Sequence, residues 1–481
     1  MSLGMGIRLL ETLTSALYED PIVFFREYVQ NSADAFIRHP AVNSRIDINI
    51  DKDNRVIEFV DNGYGIPCND FIYKMRGIGI SDKGSAIDQI GFRGIGRLSA
   101  MPFCNKLLFI NKVEGCGEIQ EFSWNGEKYN NLLSQSDSDN LEKAIDEITE
   151  FSTKQYSGSM SDHFFVVKLI SYSDEIADLI QSDEFESNLS KLLPVKYLDD
   201  FSGKDQIHQH YLDFMADSLE KYEFDVFLND TQLFKPYTNE NILESDIIFW
   251  DLSFDKSSDD IPAEKIGVLW FTFNRKVASN PPKSPRGLYV RSKNMLLGTE
   301  YAIADSVTKG NKEYVATYRE LTQTLNGVYG ELLIDTARLS DNARRDWFRI
   351  DASSIQLRKI LTDYLRKLKT YRYAASLAFN DKQTESKRKK VIAAYEDLTN
   401  GFDTKKFEQE FYDPHEEQKE ENNFFYADDD IPRRSVSSKK FYEEILGGLK
   451  EYCTDVDKEH GIENFIKIRT FLKQYLNQND Q

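Results

Sequence analysis

The stretch Phe25-Arg26-Glu27-Tyr28-Val29-Gln30-Asn31-Ser32-Ala33-Asp34-Ala35 decides how the rest of the chain is read. Glu27, Asn31 and Asp34 are spaced by four and three residues, the intervals at which side chains share one face of an α-helix, while Val23, Phe24 and Tyr28 supply apolar faces. Asp20 is placed to cap this helix and Pro21 to open it, where a missing N–H costs nothing. Two carboxylates and a carboxamide on one face call for a polar counterpart. Taken alone, the pattern also fits a half-exposed amphipathic helix.

Two further blocks follow at similar intervals. The alternating run Arg55-Val56-Ile57-Glu58-Phe59-Val60 reads as a strand and leads into Asp61-Asn62-Gly63-Tyr64-Gly65-Ile66-Pro67, with Asp61 thirty residues past Asn31. Its glycines let the backbone turn and come close to a ligand, although an ordinary Asp-Gly turn has the same spelling. Thirty residues beyond Asp61 begins Gly91-Phe92-Arg93-Gly94-Ile95-Gly96-Arg97-Leu98-Ser99-Ala100, a glycine cluster opening a helix-like segment. Backbone N–H groups at such a start, aided by the helix dipole, make a phosphate cradle. Gly91, Gly94 and Gly96 have the wrong spacing for a dinucleotide fingerprint, and Gly79 to Ser85 lacks the lysine of a P-loop.

In order and spacing these blocks resemble those of the GHKL superfamily of ATPases, which includes heat-shock protein 90, DNA gyrase B, MutL, MORC proteins and histidine kinases. The first block is most similar to the heat-shock protein 90 branch, whereas Gly91-Phe92-Arg93-Gly94 is more similar to MutL. The resemblance implies ATP and Mg²⁺ as ligands. It implies Glu27 as the base that takes a proton from the attacking water, and Asn31 as the side chain that ligates magnesium. Asp61 is implied as acceptor from the adenine amino group, with Gly65 and Ile66 beside it. Asp34 is implied to act through water, with Ala35 next to it and Arg38 one turn on. Gly91, Phe92, Arg93, Gly94, Ile95 and Gly96 are implied to wrap the phosphates. Between the second and third blocks, Gly77 to Asp88 suits a mobile lid shorter than that of heat-shock protein 90, in which Lys83 either touches a phosphate or is simply solvated. Ser161-Asp162-His163 stands where the chaperone family has a threonine, a departure from the pattern.

Around these blocks, Arg45 to Ile50 and Arg55 to Val60 alternate with period two across the turn Asp51-Lys52-Asp53-Asn54, and Leu107 to Ile110 adds a strand. The expected class is α+β. A Bergerat-type α/β sandwich ATPase domain over residues 1–195, with an antiparallel or mixed sheet and the nucleotide among the helices, precedes a transducer-like or middle-like α/β domain over 220–350. Strand candidates in the second unit are Phe224–Leu228, Ile266–Phe271, Leu288–Val290 and Leu332–Ile334. Beyond it, Leu339-Ser340-Asp341-Asn342-Ala343-Arg344-Arg345-Asp346-Trp347 resembles the chaperone loop whose arginine enters the nucleotide site. Arg345 aligns best, with Arg344 and Arg338 as alternatives. A surface ion-pair cluster is the plainer reading of that loop.

Residues 351–481 read as a helical region, with Ile355, Leu357, Ile360, Leu361, Tyr364 and Leu368 at core spacing. An acidic linker at about 413–435 holds eight acids against one lysine between Asp413 and Asp430. Phe441 to about Leu476 follows as a helical segment for a partner or dimer contact. Members of these families commonly close as dimers on ATP, and Met5 to Leu13 is placed to supply an exchanged strap.

With 481 residues, 40% of them hydrophobic, the chain can build two or three cores. Cys68, Cys104, Cys116 and Cys453 show no paired or metal-ligand spacing, six histidines form no cluster, and no signal peptide or long apolar run is expected. These features point to a reducing, cytoplasmic setting without zinc or membrane. A net charge of −20 disfavours a nucleic-acid partner, though Arg366-Lys367 and Lys387 to Lys390 leave one open. Three functions therefore stand side by side. The first is an ATP-hydrolysing switch of the heat-shock protein 90 type that acts, as an ATP-dependent homodimer, on a protein client or partner. The second is a MutL- or MORC-like ATPase that clamps DNA in genome maintenance or defence against phage. The third is a nucleotide-gated scaffold without catalysis.

Overall fold

The computed structural model describes residues 20–40, 43–78, 96–134, 141–239, 247–254, 264–273, 286–308, 318–326, 328–342 and 345–378. All belong to the first of two compact units, Met1–Phe411. The expected strap at Met5 to Leu13, most of the lid, the acidic linker and the Phe441 to Leu476 segment lie outside them.

Helix α1 (Ile22–Arg38) forms where the polar triad was read, and the Ile22 N–H donates to Asp20 Oδ1 at 3.0 Å. Pro21 therefore sits at the cap, one position before the first helical turn, and Asp20 just outside it. The hairpin β1 (Arg45–Asp51) and β2 (Val56–Asp61) turns at Asp51–Arg55, where Asn54 binds the Asp51 carboxylate and Arg55 takes φ +53°. Along β2, Ile57, Phe59 and Asp61 share the buried face. Phe59 packs there against Phe24, Phe25 and Tyr28 of α1, with ring centroids 6.2, 5.4 and 5.0 Å apart. This packing fixes where α1 lies over the strand, so the next inward position along β2, Asp61, comes under the next turn of α1.

Helix α2 (Cys68–Arg76), β3 (Cys104–Lys112), β4 (Glu118–Asn125), α3 (Gly126–Ser134), α4 (Leu141–Ile148), β5 (Thr149–Gln155) and β6 (Phe164–Tyr172) complete most of the first lobe. Then come α5 (Asp174–Gln181), α6 (Phe185–Leu192), α7 (Lys204–Met215), β7 (Asp225–Leu228) and β8 (Thr231–Gln232). The first sheet has eight strands in the order β5-β4-β3-β6-β2-β1-β7-β8, antiparallel except for the parallel β1–β7 pair. Phe224–Leu228 was expected to open the second unit, and the first lobe to close near residue 195. Instead Val226 pairs with Ile46, and Phe224, Val226 and Leu233 join the first core. Five mostly apolar residues cannot encode which sheet they join; the parallel register with β1 decides it.

The second sheet takes the order β12-β11-β13-β10-β9, built from β9 (Ile248–Phe254), β10 (Glu264–Phe273), β11 (Gly287–Ser292), β12 (Met295–Leu297) and β13 (Val328–Ile334). On one face it packs with α8 (Ala302–Thr308), α9 (Tyr318–Leu325) and α10 (Ala352–Ala378); on the other, Val268, Trp270, Tyr329 and Leu333 meet the aromatic cluster of Tyr197, Phe201, Tyr211 and Tyr237. Burial on both sides explains why β13 is buried at every position. Leu357, Leu361 and Leu368 of α10 enter this core as expected, but Ile355 is 46% exposed, because two positions from Leu357 it falls on the opposite face of the helix.

Where the lobes meet, Glu331 of β13 lies between two cations. Arg291 Nε binds Glu331 Oε1, Lys235 Nζ donates to Oε2 at 2.9 Å and Tyr197 Oη donates to Oε2 at 2.5 Å. Arg291 also donates to the Lys191 carbonyl at 2.9 Å and to that of Leu193 at 3.5 Å. Asn294 donates to the Tyr222 carbonyl at 2.9 Å. Burial alone would raise the Glu331 carboxyl, but Arg291 and Lys235 override it and hold the group down at about 2. Removing one member of such a set leaves buried charge uncompensated. Glu331→Gln should therefore destabilise the chain by roughly 3–5 kcal/mol, and Glu331→Gln with Lys235→Met should recover part of that loss, read as thermal midpoints.

Candidate functional site

Helix α1 is enclosed along most of its length, with every residue from Phe24 to Asp34 buried except Asn31, which is exposed. The Asn31 carboxamide is thus exposed in the middle of an otherwise covered helix, and a carboxamide oxygen is a hard donor of the kind magnesium accepts. Asp34 is fully buried, Ala35 partly so, and Arg38 is exposed in the last turn. Gln30 and Ser32 flank Asn31 as buried polar residues.

Next to Asn31, Ser32 Oγ donates to Asp61 Oδ2 at 2.6 Å, and the Gly63 N–H donates to Oδ1 at 3.0 Å. A Cβ at Gly63 would stand 2.8 Å from that carboxylate oxygen, so glycine is needed for the loop to fold back on Asp61. Two donors do not replace full hydration: burial pushes the Asp61 carboxyl up to about 6, against the opposing pull of Ser32, Gly63 and His163. A desolvated carboxylate in this position is a strong acceptor for an amino group. His163 Nδ1 lies 3.1 Å from the Gly63 carbonyl, and its ring stacks on Tyr64 at 4.7 Å. The residue that departs from the threonine pattern thus closes the back of the same loop. Gly65 has φ +72°, and a Cβ there would meet Asn111 Oδ1 at 2.7 Å. Ile66 is held through both backbone groups by Asn111, with its N–H donating at 2.8 Å and its carbonyl accepting at 2.7 Å.

At the other end, five residues before Ser32 and so roughly 7–8 Å along the helix axis, sits Glu27. Its Oε1 is 3.5 Å from an Arg26 terminal nitrogen and 3.6 Å from Arg345 Nε, all three side chains being almost wholly buried. Gly96 packs directly on this carboxylate, since a Cβ there would collide with Glu27 Oε2. The Tyr28 hydroxyl donates to the Arg97 carbonyl at 3.1 Å and accepts from the Ala100 N–H at 3.4 Å, which ties the Gly96–Leu98 turn to α1.

Arg345 belongs to the second lobe. Its loop is anchored by Trp347 and Phe348, which are buried in the second core, and by the Gly298 N–H donating to its carbonyl at 2.9 Å. Its own backbone takes φ +55°, the left-handed region unfavourable for a branched or long side chain. Arg338 is paired with Glu264 instead. Arg344, Lys83, Gly91, Phe92, Arg93, Gly94 and Ile95 lie outside the described residues.

The structure therefore brings Glu27, Gly96 and Arg345 together, places Asp61 against Ser32, and leaves Asn31 open between them. Sequence reading missed four contributors: Ser32, Arg26, Asn111 and His163. Ser32 and Arg26 stand inside the first block, but off the Glu27–Asn31–Asp34 spacing that marks it. Asn111 carried no motif, and His163 read as a departure from one.

Residues 23–154 match the family of histidine kinase-, DNA gyrase B- and HSP90-like ATPases. That part of the first lobe is therefore similar to the ATPase domain of the GHKL superfamily and has its mixed α/β fold. The chaperone protein HtpG of Acinetobacter baylyi is 25% identical over 198 residues, 32% of this chain and 30% of that protein. HtpG of Mesorhizobium japonicum is 29% identical over 141 residues, 25% of this chain and 22% of that protein. The chain thus spans less than a third of the length of these curated relatives. Among solved structures, the ATPase region of Saccharomyces cerevisiae topoisomerase II is similar with a TM-score of 0.38 at 14% identity, over 72% of this chain and 83% of that one. The ATPase and transducer domains of DNA topoisomerase II from Balamuthia mandrillaris give 0.40 at 12% identity, over 73% and 85%. No helix among the described residues is long and apolar enough to cross a membrane.

Because the Asp61 carboxyl sits at about 6 in the folded chain against 3.8 ordinarily, its contribution to stability is fully present below 3.8 and is lost as pH rises through 6. At pH 7 the ionised group costs on the order of 3 kcal/mol. Asp61→Asn should therefore melt several degrees higher than the parent at pH 7, with the gap narrowing as pH falls through 6 and closing only below 3.8. A gap that does not change with pH would remove Asp61 as the titrating group.

Proposed function

We propose that this chain binds ATP with magnesium and hydrolyses it, using the nucleotide to drive its two lobes through a closing cycle. The observation that carries the reading is the meeting of Glu27 with Gly96 and Arg345 on the same helix that holds Asp61 through Ser32. Asp61 accepts a hydrogen bond from the adenine amino group, with Gly65 and Ile66 bordering the base. Asn31 holds the magnesium ion, which when bound neutralises phosphate charge. Asp34, Ala35 and Arg38 continue the α1 face towards the cleft. Gly91, Phe92, Arg93, Gly94, Ile95 and Gly96, with Lys83, surround the phosphates with N–H donors and positive charge.

Glu27 takes a proton from the attacking water. With Arg26 and Arg345 beside it, the carboxylate is held as an ion pair rather than as a free base. A γ-phosphate entering the cleft offers Arg345 a more highly charged partner, and its departure releases Glu27 for proton transfer. Hydrolysis is thereby tied to the position of the second lobe, from which Arg345 projects. A dimer closing on ATP and acting on a protein partner in the cytoplasm is supported by the likeness of the first block to heat-shock protein 90 and by the HtpG relatives. The net charge of −20 weighs against a DNA clamp.

Glu27→Ala should keep ATP affinity within a few-fold while kcat falls by about 10²-fold or more; unchanged turnover would take Glu27 out of the chemistry. Arg345→Ala should lower kcat by on the order of 10²-fold with a smaller change in KM. Asp61→Asn should lose nucleotide binding itself. The Glu27→Ala chain trapped with ATP, measured by light scattering and by retention of protein and of DNA, separates the partner classes, and selective retention of DNA would move the reading to a clamp.

A further inference from the structure

Cys68 and Cys116 are 48 residues apart in sequence, yet their Sγ atoms are 3.1 Å apart as free thiols. A disulfide needs the sulfurs to close to about 2.05 Å, so only a small shift separates this pair from a bond. The surroundings are built to hold the partners in register. Cys68 is the first residue of α2, directly after the Gly65-Ile66-Pro67 segment, and its carbonyl accepts from Gln120 Nε2 at 3.0 Å. Asn111, which holds Ile66, also donates to Gln120 Oε1 at 3.2 Å. Cys116 lies in the β3–β4 turn between Gly115 and Gly117, where a Cβ on either glycine would point into open space. The turn is itself held, with the Gly115 N–H donating to the Met160 carbonyl at 2.7 Å and the Tyr156 N–H to the Gly117 carbonyl at 2.9 Å, so both thiols sit on anchored backbone with free space around the Cys116 turn.

We propose that Cys68 and Cys116 are a reversible disulfide site of the folded chain, oxidised by low-molecular-weight disulfides of the glutathione type. Cys116 attacks one sulfur of the oxidant, its proton leaving with the first released thiol. Cys68 then attacks the Cys116 sulfur of the mixed disulfide, and the second thiol departs with the Cys68 proton. Two protein thiols and one small disulfide thus become one protein disulfide and two small thiols; the protein sulfurs are oxidised and those of the oxidant reduced. The same balance holds with the two thiols exchanged; burial, with the neighbouring Cys116, raises the Cys68 thiol to about 11. Cys104 is excluded: fully buried, with its thiol pushed up to about 12 by burial, it donates to the Ala100 carbonyl. The bond would tie the start of α2 to the β3–β4 turn, making a covalent wall beside the Gly65–Ile66 segment. It forms whether or not the chain binds ATP, so its failure is distinct from failure of the ATPase reading.

The test uses the full reduced chain, incubated with oxidised glutathione, quenched with acid, alkylated and mapped by mass spectrometry without reductant. The expected result is a Cys68–Cys116 linked peptide as the dominant product, reversed by dithiothreitol, with the thermal midpoint raised by on the order of 5 °C. Cys68→Ser should instead accumulate a stable glutathione adduct on Cys116. The proposal is overturned if the parent accumulates that adduct without the linked peptide, if the dominant linkage uses Cys104 or Cys453, or if the linked peptide is no more abundant in the native chain than in one unfolded in urea.

Discussion

The packing of Phe59 against Phe24, Phe25 and Tyr28 sets the position of α1 on the first sheet, and the polar geometry of the site follows from it. Three aromatic rings on one strand residue leave the helix little freedom to slide, because close-packed interiors tolerate shifts poorly. With α1 held there, Ser32 falls on Asp61 and Glu27 falls under Gly96. A shift of one helical turn would move both pairs by about 5 Å and break them together. The base-side and phosphate-side groups are thus two readings of one helix register.

The second constraint is electrostatic and lies between the lobes. Glu331, Arg291, Lys235 and Tyr197 form a fully buried set whose members come from β13, β11, the segment after β8 and the segment between α6 and α7. Apolar residues would join these elements with less specificity, since a charge set must have every partner in place to be tolerated. Arg291 also caps the carbonyls of Lys191 and Leu193 at the end of α6. This set and the aromatic cluster beside it hold the second sheet close to the first lobe, while the Arg345 loop reaches Glu27 elsewhere.

Several unfavourable local terms meet at the site. Asp61 is buried with its carboxyl raised, Arg345 has a left-handed backbone, and Glu27 is desolvated between two guanidinium groups. Each opposes stability by itself and persists because aromatic packing and the lobe contact hold the surroundings in place. The same holding elements put Cys68 against Cys116, where two short fixed segments meet across the β3–β4 turn.

The sequence by itself determined what depends on nearest neighbours along the chain. The helical spacing of Glu27, Asn31 and Asp34, the period-two run into Asp61 and the glycines at 63, 65 and 96 are local codes, and the elements they specify were legible. Most strands of the second sheet were legible for the same reason. Only the tertiary structure decided which sheet took Phe224–Leu228, that Arg345 rather than Arg338 meets Glu27, that Ser32 and His163 close the Asp61 loop, and that Cys68 faces Cys116. These depend on contacts between residues far apart in the chain, where spacing carries no signal and only the packing of one element on another selects the partner.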